Sequence, residues 1–182
     1  MEKTMIVAGF GGQGVMVIGQ LMAYTAAETT DKKVTFFPSY GAEQRGGTAN
    51  CYVVISDEEV GAPKVDKCDY LVVLNEPSMA RFQGNVKPGG AIIVNTSIVK
   101  KFTKRDDITY VEVPANDIAY ELKNPKVMNL AVAGALIGYT ELLPEDNVIQ
   151  TAFKKLGKKR PELNPINEAA FKKGLEYGKA AK

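Results

Sequence analysis

An apolar strand, a cluster of glycines and an amphipathic helix follow one another at the start of this chain, and that succession restricts the fold more than any other feature. Thr4-Met5-Ile6-Val7-Ala8 reads as a short buried strand ending at Gly9. Beyond the glycines, Val15, Ile18, Leu21, Met22 and Thr25 recur at helical spacing, which predicts a helix over about residues 13–29. Such a unit buries its strand only when further units stack beside it, so the rest of the chain should repeat the pattern. It does. Strands are expected at Val34–Phe37 (stopped by Pro38), Cys51–Ile55, Asp69–Leu74, Ala91–Asn95 (after a turn at Lys87–Gly90) and Thr109–Val113 (stopped by Pro114).

Helices are expected between and after these strands. Asn75-Glu76-Pro77-Ser78 is a helix start, Ala115–Leu122 a short helix, and Val127–Gly138 a buried one with small residues spaced for close packing. Pro144 opens another at 145–156, and Asn164–Gly178 forms a last, more charged one. Apolar strands that run without alternation predict a parallel sheet covered on both faces. The expectation is one doubly wound, Rossmann-like α/β domain over residues 1–182, with a mostly parallel sheet and a C-terminal helical segment. No repeat, low-complexity tract or linker divides it, and the Lys-rich tail Lys172–Lys182 reads as a solvated helix end.

Composition narrows the chemistry. The 182 residues carry 23 Lys+Arg against 21 Asp+Glu, a formal net charge of +2, with 45% hydrophobic and 24% charged residues. This is an ordinary globular balance, which gives no electrostatic reason to expect nucleic acid or an anionic membrane as partner. There is no histidine, so Ser-His-Asp and Cys-His mechanisms and histidine-ligated metals are excluded for this chain. Cys51 and Cys68, the two cysteines, cannot hold an iron–sulfur cluster by themselves and read as small buried residues of a reduced protein. With no membrane-length apolar stretch and no signal-like start at Met1-Glu2-Lys3-Thr4, a cytoplasmic location is expected.

Gly9-Phe10-Gly11-Gly12-Gln13-Gly14 satisfies G-x-G-x-x-G between a strand and a helix, where a helix N-terminus offers free N–H groups to an anion. The same glycines would serve equally to make the turn compact. A dinucleotide site also wants an acid at the end of the second strand. Here that strand ends Phe36-Phe37-Pro38-Ser39, and the next acid, Glu43, lies well into the following loop. A nicotinamide enzyme is therefore disfavoured.

That loop, Ser39-Tyr40-Gly41-Ala42-Glu43-Gln44-Arg45-Gly46-Gly47-Thr48, should lie at the carboxyl edge of the sheet beside the first. Arg45 is its one fixed cation and suits a phosphate or carboxylate; alternatively it pairs with Glu43 while Tyr40 merely packs. Long polar loops in compact domains usually have a purpose. The candidate binding residues are Gly11, Gly12, Gln13, Gly14, Ser39, Tyr40, Gly41, Glu43, Arg45, Gly46 and Gly47. No catalytic or metal-binding residue stands out.

The two loops in this order, with Asn124-Pro125-Lys126-Val127-Met128-Asn129 and Ala133-Gly134-Ala135-Leu136 further on, resemble the gamma subunit of the 2-oxoacid:ferredoxin oxidoreductases, which act on pyruvate, 2-oxoglutarate or ketoisovalerate. The likeness covers essentially the whole chain and is nearest the 2-oxoglutarate branch. It implies a non-autonomous subunit of a hetero-oligomer that decarboxylates a 2-oxoacid, passes electrons to ferredoxin and forms acyl-coenzyme A. Thiamine diphosphate, Mg²⁺ and iron–sulfur clusters would belong to alpha, beta and delta-type ferredoxin partners, coenzyme A would be a substrate, and this chain would hold no cofactor alone. The helix start near Gly12–Gly14 would take the coenzyme A pyrophosphate and Arg45 its 3′-phosphate. A homodimer is conceivable in isolation, and a stand-alone nucleotide-binding or regulatory module using Gly9–Gly14 is the competing reading. Obligate partners should leave apolar side chains exposed, with Tyr24, Phe36, Phe37, Tyr40 and Phe82 as candidates.

Overall fold

A computed structural model describes residues 1–42 and 47–182. Six strands, β1 (Glu2–Phe10), β2 (Lys33–Tyr40), β3 (Thr48–Ser56), β4 (Cys68–Val73), β5 (Val86–Asn95) and β6 (Thr109–Val113), form one sheet in the order β2-β3-β1-β4-β5-β6. β1, β4, β5 and β6 run parallel, whereas β3 is antiparallel to both β1 and β2. The helices are α1 (Val15–Thr29), α2 (Glu76–Phe82), α3 (Ala115–Glu121), α4 (Met128–Thr140), α5 (Glu145–Lys155) and α6 (Asn164–Ala180). The α/β architecture matches the expectation, and the sheet is parallel through four of its strands.

The differences have physical causes. β3 is as continuously apolar as its neighbours yet pairs antiparallel, because burial on both faces, not pairing direction, is what removes alternation. β2 continues through Pro38, which pairs with Cys51 and lies on the sheet edge, where a missing N–H costs little. The turn expected at Lys87–Gly90 lies inside β5 as an irregularity: Val86 faces Cys68 while Ala91 faces Tyr70.

The sheet separates two cores. Met5, Val7, Val53, Val72 and Ile93 face α1, α4, α5 and α6, while Ile6, Ala8, Leu71 and Val94 pack with Met79 and Phe82 of α2 and with Val99. α4, buried on nearly every side, packs backbone to backbone on α6. A Cβ on Gly134 would lie 2.0 Å from the Phe171 carbonyl, and one on Gly174 would lie 1.8 Å from that of Ala131. Cys51 and Cys68 are buried in opposite cores, and burial pushes both thiols up to about 12. They cannot share a bond or a metal. Among the described residues no three His, Cys, Asp or Glu side chains gather to hold a metal ion. No described helix is long and apolar enough to cross a membrane.

Candidate functional site

The topology brings both loops to one rim. β2 runs parallel to β1 because β3 reverses between them, so β1 and β2 end at the same edge. There the Gly11 N–H donates to the Gly47 carbonyl at 2.9 Å, and the Gly41 N–H donates to the Thr48 carbonyl at 2.8 Å. Ser39 and Tyr40 belong to the end of β2, so the loop proper is shorter than the sequence suggested. Ser39 is half-buried, Gly41 is exposed, Gly47 is buried, and Tyr40 is 70% exposed. Glu43, Gln44, Arg45 and Gly46 lie outside the described residues.

The glycine turn owes its shape to two left-handed positions, Gly12 (φ 89) and Gly14 (φ 88), where an L side chain is strained. Gly14 caps α1, whose first helical bond runs from the Ile18 N–H to the Gly14 carbonyl at 3.0 Å. The preceding N–H groups are left to other partners, and with them the positive end of the helix dipole. The carboxamide of Gln13 is satisfied internally. Its Oε1 accepts from the Phe10 N–H at 2.7 Å and from Asn75 Nδ2 at 3.4 Å, and its Nε2 donates to the Leu74 carbonyl at 3.3 Å. Gln13 thus joins the ends of β1 and β4 where α1 and α2 depart to opposite faces, the crevice in which doubly wound sheets hold ligands. These bonds hold the turn in shape.

Beside this turn is a recess of about 350 Å³ lined by the glycines with Phe10, Val15, Met16, Tyr40 and Ala49. It can offer backbone N–H groups to an anion at one end and apolar side chains to a flexible arm along the rest. A larger hollow of about 790 Å³ lies over α3 and Pro125. Of the two, only the smaller recess abuts the glycine turn and the start of α1. On one side of β1 lies the antiparallel β3, beginning at Thr48 opposite Phe10, and on the other the parallel β4.

Two residues here escaped the site reading of the sequence. Asn75 caps α2, accepting from the Ser78 N–H at 2.9 Å, while its amide reaches Gln13. Asn129, in the first turn of α4, lies so close that a Cβ on Gly14 would be 2.9 Å from it. The helix-start pattern Asn75-Glu76-Pro77 and the Asn124–Asn129 segment were their only signals. Of the aromatic candidates for an exposed patch, Tyr24, Phe37 and Tyr40 are exposed, Phe36 packs partly against the core, and Phe82 is buried.

A glycine-turned helix start facing a hairpin loop at one rim of a mostly parallel α/β sheet defines a Rossmann-like domain. The chain belongs to the pyruvate ferredoxin/flavodoxin oxidoreductase family, whose model matches residues 4–177. It is 34% identical to the 2-oxoglutarate synthase subunit KorC of Methanocaldococcus jannaschii, over 98% of this chain and 95% of that one. It is 35% identical to the ketoisovalerate oxidoreductase subunit VorA of Methanothermobacter marburgensis, over 98% of this chain but only 37% of the relative's length. Among solved structures, a 2-oxoglutarate:ferredoxin oxidoreductase from Magnetococcus marinus, with 2-oxoglutarate, coenzyme A and succinyl-CoA bound, superposes with a TM-score of 0.89 at 26% identity. That match covers all of this chain and 32% of that one. The gamma subunit of a keto/oxoacid ferredoxin oxidoreductase from Geobacter sulfurreducens shares the fold, with a TM-score of 0.84 at 24% identity over 98% of this chain and 99% of that one.

Proposed function

We propose that this chain is the gamma subunit of a cytoplasmic 2-oxoacid:ferredoxin oxidoreductase, acting most directly on 2-oxoglutarate, and that its glycine rim lines the coenzyme A channel. Alpha and beta subunits and a delta-type ferredoxin subunit would carry thiamine diphosphate, Mg²⁺ and the iron–sulfur clusters. Those groups supply the decarboxylation and the electron transfer; this chain binds and orients the acyl acceptor. The observation that carries the reading is the pairing of the two loops at one rim through Gly11 and Gly47, beside the start of α1. Coenzyme A joins phosphates to a long flexible arm, and the recess joins helix N–H groups to an apolar wall.

The near full-length match to a 2-oxoglutarate relative supports the substrate. The longer relatives support the partners. There the matched region is continuous with further polypeptide, and relatives of similar length are themselves named as subunits. The binding set is Gly11, Gly12, Gly14, Ser39, Tyr40, Gly41, Glu43, Arg45, Gly46 and Gly47, with Gln13 holding the turn. In the complex purified from its host, Arg45→Ala should raise the coenzyme A Michaelis constant about tenfold by removing one charge-assisted contact. The thiamine half-reaction should be spared. An unchanged constant rejects the role of Arg45.

A further inference from the structure

The stretch Lys154-Lys155-Leu156-Gly157-Lys158-Lys159-Arg160 concentrates five basic side chains in a protein whose formal net charge is +2. Part of this is ordinary helix chemistry. α5 ends at Lys155, and cations in a last turn complement the helix dipole. Lys154 and Lys155 both pair with Glu28, at 3.0 and 2.5 Å.

The other three have no such account. Lys158, Lys159 and Arg160 lie beyond α5 and just ahead of the turn at Pro161–Leu163 and α6. The amino end of a helix gains nothing from positive charge. Arg160 pairs with Glu162 at 2.9 Å, while Lys158 and Lys159 are exposed and make no ion pair among the described residues. Two carboxylates, Glu28 and Glu162, thus answer five cations. Set among them are exposed apolar groups: Tyr24, whose ring carries Lys155 Nζ at 4.3 Å from its centre, and Leu156. A folded surface bearing carboxylates around an apolar spot would complement this patch both in charge and in apolar contact. Glu28 lies in the last turn of α1, so the patch is separated from the Gly14 rim by the helix's length, about 22 Å.

We infer that this end of the molecule is a second docking surface, occupied by a protein that presents Asp and Glu side chains around an apolar spot. It is independent of the coenzyme A reading, because a partner seated here leaves the glycine rim uncovered. The complex, purified through a tag on this chain, is treated with a carbodiimide that joins amines directly to carboxylates in contact, and linked peptides are sequenced by mass spectrometry. Lys158 or Lys159 should be linked to an Asp or Glu of another polypeptide. Lys158→Glu with Lys159→Glu should lower recovery of that polypeptide about tenfold at low salt, as raising the salt should for the unaltered chain. The melting temperature should not change, and the gentler Lys158→Gln with Lys159→Gln should give an intermediate loss. The inference is overturned if no other polypeptide copurifies or the lysines link to none. It is also overturned if the reversed chain keeps its partners in the same ratio, or if duplex DNA or phosphatidylserine vesicles bind the patch more tightly than the linked polypeptide.

Discussion

At Gly14 two constraints coincide that Gly12 separates. Both residues sit near φ 90, but a Cβ on Gly12 would meet nothing within 4 Å, whereas one on Gly14 would press on Asn129 at 2.9 Å. Gly12→Ala should therefore cost only the left-handed backbone strain, about 1–2 kcal/mol. Gly14→Ala adds a displacement of α4's first turn and should cost about 1–3 kcal/mol more. Urea unfolding of the two variants measures the difference; equal losses would show that Asn129 yields freely. At this scale the sequence was most legible where residue type alone decides. The buried cysteines and the glycine turn were readable, since few other residues tolerate those positions. The bonding of Gln13 was not, because a carboxamide serves a ligand or its own backbone equally well, and its contacts with Phe10, Leu74 and Asn75 arise only in the fold.

Among the elements, α4 and α6 show why local patterning stops short of tertiary structure. The small residues of Ala133-Gly134-Ala135 announced close packing, but the partner stripe, Gly174 and Gly178 on α6, sits in a charged segment that reads as a surface helix. The close approach exists only when the two are paired. Gly174→Ala sets two effects against each other. Helix propensity favours alanine by about 1 kcal/mol, while the added methyl would lie 1.8 Å from the Ala131 carbonyl and must force two backbones apart. Overpacking of that kind costs about 1–3 kcal/mol, and here about 2–3 because no flexible side chain can give way. The variant should be destabilised by about 1–2 kcal/mol in denaturant, the opposite sign to an exposed helical glycine; a gain in stability would mean that α6 shifts at no cost. The reversal of β3 was hidden for a related reason. Strand direction is set by connections and neighbours, which a doubly buried apolar run does not encode.

Over the whole molecule, exposed apolar side chains fall near both ends of α1, and the excess positive charge near only one. Phe10, Phe37 and Tyr40 stand exposed toward the glycine-rim end, while the basic run lies beyond the other end of α1. Solvent-exposed aromatics grouped at a rim beside a helix start are costly to leave uncovered, and a subunit interface there would cover them without filling the recess. Hydrogen exchange separates covering by protein from covering by ligand. In the purified complex, amides of residues 10–17 and 40–42 should exchange at least about tenfold more slowly than in the isolated chain, because docking makes their local opening less favourable by more than 1 kcal/mol. Adding coenzyme A should then slow residues 11–17 further and leave 33–37, on the paired part of β2, unchanged. Protection by coenzyme A alone, with none from the other subunits, would make the rim a free-standing ligand site and its aromatics part of the pocket wall. Protection by subunits alone would make it purely an interface, with the acceptor bound elsewhere.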